Sequence, residues 1–348
     1  MAESFDPSCP VPFSDGDRIT LAHGSGGMQS AELISKLFVP ALNYEYLKKL
    51  HDGSVFDLGN IKLAFTTDSF VVKPIFFPGG DIGSLSVHGT VNDLAMCGAR
   101  PMMLSLSFVI EEGFAMVDLK RIIDSVSVAC KDAGTMVVTG DTKVVEKGSA
   151  DGIYINTSGV GTVEYEGISP EAVKAGDSII LNGAIGLHGI AVMVAREGLN
   201  LETEIESDSA PLWGPVEKVI KSGAEIHCMR DATRGGLSSV LNEIAGAADV
   251  GIQIWEENIP VPEPVKGACE ILGLDPLYVA NEGRFLTFTA PDDEDTALNA
   301  LRSHALGREA HKIGQVTDDH KGSVVLRTNI GGKRVVPMAS GEILPRIC

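Results

Sequence analysis

A chain of 348 residues with 44% hydrophobic residues, 22% charged residues and 39 glycines has the make-up of a two-domain globule, and is neither disordered nor of low complexity. Its formal net charge of −19, with no cluster of lysine or arginine, excludes duplex nucleic acid and anionic membranes as general partners. An acidic protein still takes a nucleotide when a divalent metal lies between its carboxylates and the phosphates.

The opening residues 1–13 lack the basic start and apolar run of a secretory signal. No stretch approaches the roughly 20 apolar residues of a membrane helix. The six cysteines, Cys9, Cys97, Cys130, Cys228, Cys269 and Cys348, are scattered without a Cys-x-x-Cys pair, which suits a reducing compartment and leads us to expect a cytoplasmic protein. Cys97, Cys130 and Cys269 are expected to be buried small hydrophobes.

Residues 1–40 form an N-terminal segment that contains a glycine-rich stretch. Apolar residues 61–64 run into Thr66-Thr67-Asp68, a strand carrying an acid out at its end. Residues 81–99 suit a helix with Asp81 as N-cap and Gly98 before Pro101 as a stop. Leu104, Leu106, Phe108 and Ile110 alternate with serines as in a half-buried strand. Leu119, Ile122, Ile123, Val126 and Ala129 have helical spacing, and Gly134 closes that helix. Strands at 136–139 and 153–163 complete an α+β domain over 41–170.

Lys174-Ala-Gly-Asp177 reads as a hinge into a second, α/β domain over 171–336. It opens with a strand at 178–181, and helical patterns follow near 186–197, 212–221 and 236–248. Strand-like segments lie at 252–255, 285–289 and 312–316. Pro337, Gly341 and Pro345 interrupt the last stretch, so 337–348 is expected to be an extended, mobile tail.

Three aspartates stand in suggestive places: Asp68, Asp93 within Val91-Asn-Asp-Leu-Ala95, and Asp141 within Gly140-Asp-Thr142. A lone Asp after a strand is ordinarily a turn or a cap. Converging, the three would suit Mg²⁺, which takes hard oxygen ligands and bridges to phosphates. Gly24-Ser25-Gly26-Gly27, preceded by His23, offers backbone amides to phosphate oxygens, although it lacks P-loop spacing and also fits a plain flexible loop. Asp231-Ala-Thr-Arg234-Gly-Gly, ahead of a helix, is a second candidate anion site or simply a capped helix start.

The chain ends in Leu344-Pro-Arg-Ile-Cys348. An exposed terminal thiol is a liability, so its presence suggests a use. The stretch from Pro337 spans about 40 Å when extended, enough for a swinging arm.

His23-Gly-Ser-Gly-Gly27, Thr67-Asp-Ser-Phe70, Gly79-Gly-Asp-Ile-Gly83, Val91-Asn-Asp-Leu-Ala95, Gly140-Asp-Thr-Lys143 and Pro345-Arg-Ile-Cys348 together resemble the HypE family of hydrogenase maturation factors, from about residue 17 to the end. The wider fold is similar to that of aminoimidazole ribonucleotide synthetase, selenophosphate synthetase and thiamine monophosphate kinase. This resemblance implies a two-domain PurM-like fold with an N-terminal ATP- and magnesium-binding domain that also makes a homodimer. It implies that a HypF-type carbamoyltransferase loads a carbamoyl group on Cys348, that the chain dehydrates the thiocarboxamide to a thiocyanate with ATP, and that the cyanide passes to a HypC–HypD complex.

By the family pattern, Asp68, Asp93 and Asp141 would bind magnesium. Gly24, Ser25, Gly26, Gly27, Thr67, Asn92 and Thr142 would lie near the nucleotide. Lys143 would stabilise charge on the phosphorylated oxygen and Glu282, in Asn281-Glu-Gly-Arg284, would be the base. Lys143 as a surface lysine and Glu282 as a turn acid are the plain alternatives.

Two other functions compete. A small-molecule ATP user such as selenophosphate synthetase would carry a reactive cysteine near the glycine loop, and residues 23–27 have none. A non-catalytic scaffold has no need of the metal and phosphate set.

Overall fold

The computed structural model describes residues 18–198, 205–341, 344 and 346–348. The expectations for residues 1–13 and Cys9 lie outside them. No helix among the described residues is long and apolar enough to cross a membrane.

The first half starts with two short helices, α1 (Met28–Leu33) and α2 (Val39–Leu42). Then come β1 (Ser54–Leu58), β2 (Ile61–Phe70), the small pair β3 (Phe76–Phe77) and β4 (Gly80–Asp81), α3 (Ile82–Met96), β5 (Ala99–Glu111), α4 (Met116–Ala133), β6 (Met136–Val145) and β7 (Ile153–Val163). Five strands make one sheet in the order β1-β2-β7-β5-β6. Only the β5–β6 pair is parallel, and α4 supplies the crossover that a parallel pair requires. The expected apolar stripe of α4 is real: Ile122, Val126, Ala129 and Cys130 are buried, and Gly134 ends the helix at φ +66°.

Asp81 caps α3, its carboxylate accepting from the Gly83 and Ser84 amides at 2.8 and 3.0 Å. α3 has no apolar stripe, because nearly every residue in it is buried. It lies between β2, β5 and β7 on one side and β9 (Ile226–Asp231) and α6 (Trp213–Ser222) of the second half on the other, and a helix enclosed on all sides needs no polar face.

The second half runs β8 (Ser178–Leu181), α5 (Leu187–Glu197), α6, β9, α7 (Gly236–Ala248), β10 (Gly251–Trp255), α8 (Glu263–Leu272), β11 (Phe285–Thr289), α9 (Glu294–Arg302), β12 (His311–Thr317), β13 (Val324–Arg327) and β14 (Lys333–Val335). Its seven strands are ordered β14-β13-β10-β12-β8-β11-β9. β8 and β11, its fifth and sixth strands, are wholly buried. The α+β and α/β content expected from the sequence is present.

Two strands run longer than expected. β2 continues to Phe70, so Asp68 sits within a ladder, opposite Thr157, instead of at a strand end. β6 continues to Val145, so Gly140-Asp-Thr-Lys143 is edge strand, not loop.

The tail departs most from expectation. Leu344, Ile347 and Cys348 are buried against Phe70, Val72, Val279 and Ala280 in an apolar cluster that spans both halves. Val71 N–H donates to the Cys348 terminal carboxylate at 3.0 Å and Lys73 N–H to the Arg346 carbonyl at 3.1 Å, so the terminus prolongs the pairing beyond β2. The sequence offers no reason to bury this cysteine, because the groove that receives it is assembled from segments 70–73, 188–190 and 279–280, which are distant in sequence.

Candidate functional site

A cavity of about 930 Å³ opens between the halves. Its wall includes Gly24, Gly26 and Gly27, Thr67 and Asp68 of β2, Asp93 of α3, Asp231 at the end of β9, Arg234, Glu282 and Cys348. The volume is within the range of small-molecule sites.

The glycines serve close approach. A Cβ on Gly26, whose φ is +74°, would lie 2.5 Å from Cβ of Arg234, and one on Gly27 would lie 2.5 Å from the Ala339 carbonyl oxygen. The loop is thus pressed between the Arg234 turn and the start of the tail. Ser25 joins it to the tail, its hydroxyl 3.3 Å from the Gly341 carbonyl.

Asp93 meets Asp52 and Asp231, with one carboxylate oxygen of each lying within 4.8 Å of the others. Arg230 Nε lies 2.8 Å from Asp52 Oδ1, and Thr66 Oγ1 donates to Asp93 Oδ2 at 2.8 Å. Asp52 Oδ2 and Asp231 Oδ2 are buried with no hydrogen-bond partner. Burial, reinforced by the neighbouring acids, holds the Asp93 carboxyl well above its ordinary value, and burial outweighs Arg230 to do the same to Asp52. Asp231 is raised to about 6 by burial. Buried carboxylate oxygens without donors are what a hard divalent cation requires. Asp68 stands beside this group, 3.7 Å from Arg234 Nη2.

Asp141 does not join them. Asp68 pairs with Thr157, Thr157 with Leu106, and Leu106 with Gly140, so the Asp141 turn of β6 lies three strands, or about 14 Å, from Asp68. Asp141, Thr142 and Lys143 are exposed at the sheet edge, with Lys143 Nζ 2.5 Å from Asp141 Oδ2. Of the expected three aspartates, the chain thus brings Asp93 together with Asp52 and Asp231, with Asp68 adjacent, and keeps Asp141 apart. Asp52 precedes β1 after an irregular turn, and nothing in its local sequence marks it. Asp231 stood out only as part of a possible anion site.

Asn92 is not among the residues that line the cavity. Its amide donates to the Ala210 and Glu282 carbonyls at 3.1 and 3.2 Å and accepts from Leu212 N–H at 2.8 Å, so both of its N–H donors are spent on main-chain carbonyls. It ties α3 to the turn that carries Glu282. Asn92→Ala is expected to lower stability by about 2–3 kcal/mol in urea unfolding, because buried partners lose their bonds.

Glu282 is 3% exposed. Its amide donates to Asp208 Oδ1 at 3.2 Å, and burial, followed by Asp231, Asp68 and Asp208, raises its carboxyl well above the ordinary value. Burial likewise raises the Cys348 thiol against the pull of Arg234, so the docked sulfur is held as thiol. Cys97, Cys130, Cys228 and Cys269 are also free and buried.

The class of protein is defined by both halves. Residues 50–163 match the N-terminal domain of the AIR synthase related proteins, and residues 174–327 match their C-terminal domain. The chain is 50% identical over 342 residues, 97% of each chain, to the carbamoyl dehydratase HypE of Cupriavidus necator. A HypE crystallised with ATP is 44% identical with a TM-score of 0.80, the match covering 94% of this chain and 99% of that one. HypE from a HypE–HypF complex is 48% identical with a TM-score of 0.83, over 88% of this chain and 99% of that one. The chain belongs to the HypE family of carbamoyl dehydratases.

Proposed function

We propose that this chain is an ATP-dependent carbamoyl dehydratase acting on its own C-terminal Cys348, in hydrogenase maturation. The observation that carries this reading is the meeting of Cys348, Glu282, Arg234 and Asp68 at one cavity with the glycine loop. A terminal cysteine docked among phosphate-binding features has no use in a small-molecule kinase or in a scaffold.

The substrate is the thiocarboxamide S–C(=O)–NH₂ on Cys348, delivered by a HypF-type carbamoyltransferase. The related chain crystallised with HypF supports that partner. The sulfur is buried in the dock, so we read loading as happening with the tail undocked, where a transferase can reach it. An amide oxygen is a poor leaving group. Transfer of the γ-phosphoryl of ATP to that oxygen, with loss of one N–H proton, gives an imidate phosphate. Loss of the second N–H proton as phosphate departs gives S–C≡N, ADP and inorganic phosphate. Glu282, buried beside the sulfur, takes the proton, and Arg234 faces the charge that develops on the oxygen. The cyanide group then leaves for a HypC–HypD acceptor.

Asp52, Asp93 and Asp231, with Asp68, would hold Mg²⁺, which supplies charge neutralisation of the triphosphate when bound. The glycine loop and Thr67 line the nucleotide side. Asp141, Thr142 and Lys143 fit the same chemistry only if a second copy supplies them. β6 is an edge strand with Met136, Val137, Val138 and Val144 exposed, a surface that calls for a partner strand. We place the homodimer interface there, and the protein in the cytoplasm with its ATP.

The test is intact-mass analysis of the chain incubated with HypF, carbamoyl phosphate and ATP. The expected result is a carbamoyl adduct on Cys348 that loses one water only when Mg-ATP is present. Cys348→Ala should take no adduct. A Cys348→Ala chain that hydrolyses ATP at the full substrate-stimulated rate removes the proposal.

A further inference from the structure

Helix α5 carries His188 in its first turn and Arg196 in its last, and both reach the docked tail. The His188 ring is fully buried, edge-on to Phe77. Its Nε2 lies 2.8 Å from the Ile347 carbonyl oxygen and its Nδ1 2.8 Å from Ser207 Oγ. A carbonyl only accepts, so Nε2 carries the proton. Burial keeps the ring neutral, so Nδ1 is bare and accepts from the Ser207 hydroxyl. Ser207 Oγ in turn accepts from Ser209 N–H at 3.1 Å, which fixes the hydroxyl.

Arg196 Nη2 donates to the Arg346 carbonyl at 2.8 Å and to the Lys73 carbonyl at 2.5 Å, and Nε donates to Lys73 at 2.8 Å. From the other side the amides of Val71 and Lys73 hold the Cys348 carboxylate and the Arg346 carbonyl. The carbonyls of Arg346 and Ile347 and an oxygen of the Cys348 carboxylate are thereby engaged. The dock grips the backbone, the Arg346 guanidinium, which donates to the Val71 carbonyl and pairs with Asp151, and the buried Leu344 and Ile347 side chains; among the described residues no side-chain donor bonds the sulfur.

We propose that His188 and Arg196 are positioning residues, a clamp on α5 that seats Cys348 through the carbonyls of residues 346 and 347 whatever group its sulfur carries. A thiol, a thiocarboxamide and a thiocyanate differ in size and polarity, and a dock built on the substituent would suit only one of them. A dock built on the two carbonyls before it suits all three and lets the tail leave when those bonds break together. The inference rests on the self-modifying reading above for its catalytic consequence, although the clamp itself is a statement about where the tail sits.

Two measurements on the full-length chain separate the two. The first is the rate at which iodoacetamide labels Cys348, followed by peptide mass, which involves no catalysis. The second is ATP-driven water loss from the carbamoylated chain. His188→Phe keeps the ring volume and removes the donor. For a tail that rests mostly docked, it is expected to raise Cys348 labelling roughly 10- to 100-fold, as loss of one buried hydrogen bond implies, and to slow water loss at saturating ATP only in proportion to the docked fraction lost. The KM for ATP should not change, and carbamoyl loading, which uses the undocked tail, should not slow. His188→Gln, whose amide N–H can still reach the Ile347 carbonyl, should recover most of both, which a merely structural role would not do. Arg196→Gln, on a partly exposed side chain, should raise labelling in the same direction and decides the matter alone if His188→Phe does not melt cooperatively. Unchanged labelling in both His188→Phe and Arg196→Gln overturns the clamp. If the unaltered chain never loses water while labelling still responds, the dehydratase reading fails and the clamp stands.

Discussion

Glu282→Gln is expected to slow water loss from the carbamoylated chain by about 100- to 10,000-fold, the span that a positioned general base contributes, while the carbamoyl adduct still forms at the normal rate. Glutamine keeps the volume and leaves the backbone bonds to Asp208 and Asn92 in place, so the tail and the nucleotide side are undisturbed. The readout is single-turnover intact mass, with the adduct accumulating and failing to lose water. Normal dehydration in this variant would strip Glu282 of the base role.

The pH dependence has a definite sign. Burial raises the folded pKa of Glu282 above its ordinary value of 4.5, so the base form grows as pH rises through that higher folded value, and water loss should rise with it. The same shift acts on stability in the opposite sense. A carboxyl that prefers its neutral form when folded contributes most below the unfolded pKa, and that contribution is lost as pH climbs from about 4.5 to the folded value. Glu282→Gln should abolish this part of the slope.

The second large effect concerns the metal set. Asp68→Asn and Asp141→Asn should each reduce dehydration by about 100-fold or more, as expected for loss of a group that holds the metal and phosphate charge. Co-expressed, the two variants should recover about a quarter of the normal rate. Half of the dimers would be mixed, and each mixed dimer would keep one intact site, made from Asp68 of one copy and Asp141 of the other. The three-strand separation within one chain motivates the experiment. If the mixture is as inactive as either variant, Asp141 does not act across an interface, and the edge strand needs another explanation.

Most secondary structure was legible along the chain. Hydrophobic period, the Asp81 cap and the Gly134 stop mark α3 and α4, and strands β7, β8 and β11 coincide with their apolar runs. α3 was legible as a helix but not as an enclosed one, since its burial depends on a second half that packs across it. Glu282 was named through the family resemblance, with a turn acid as the plain alternative, and only the structure shows that it is buried. Asn92, expected near a nucleotide, spends its amide donors on main-chain carbonyls, because a sequence does not say which face of a buried helix meets backbone.

By itself the sequence determined the class of chemistry: carboxylates enough for a metal, a glycine loop without P-loop spacing, and a terminal cysteine that no structural need explains. These are properties of residue type and local order, which chain connectivity carries directly. Only the tertiary structure decided that Asp52 and Asp231 replace Asp141 beside Asp93, and that Cys348 rests in a closed dock under His188 and Arg196. Those facts depend on strand register and on contacts between segments more than 100 residues apart, such as His188 with Ile347, and no local pattern encodes them.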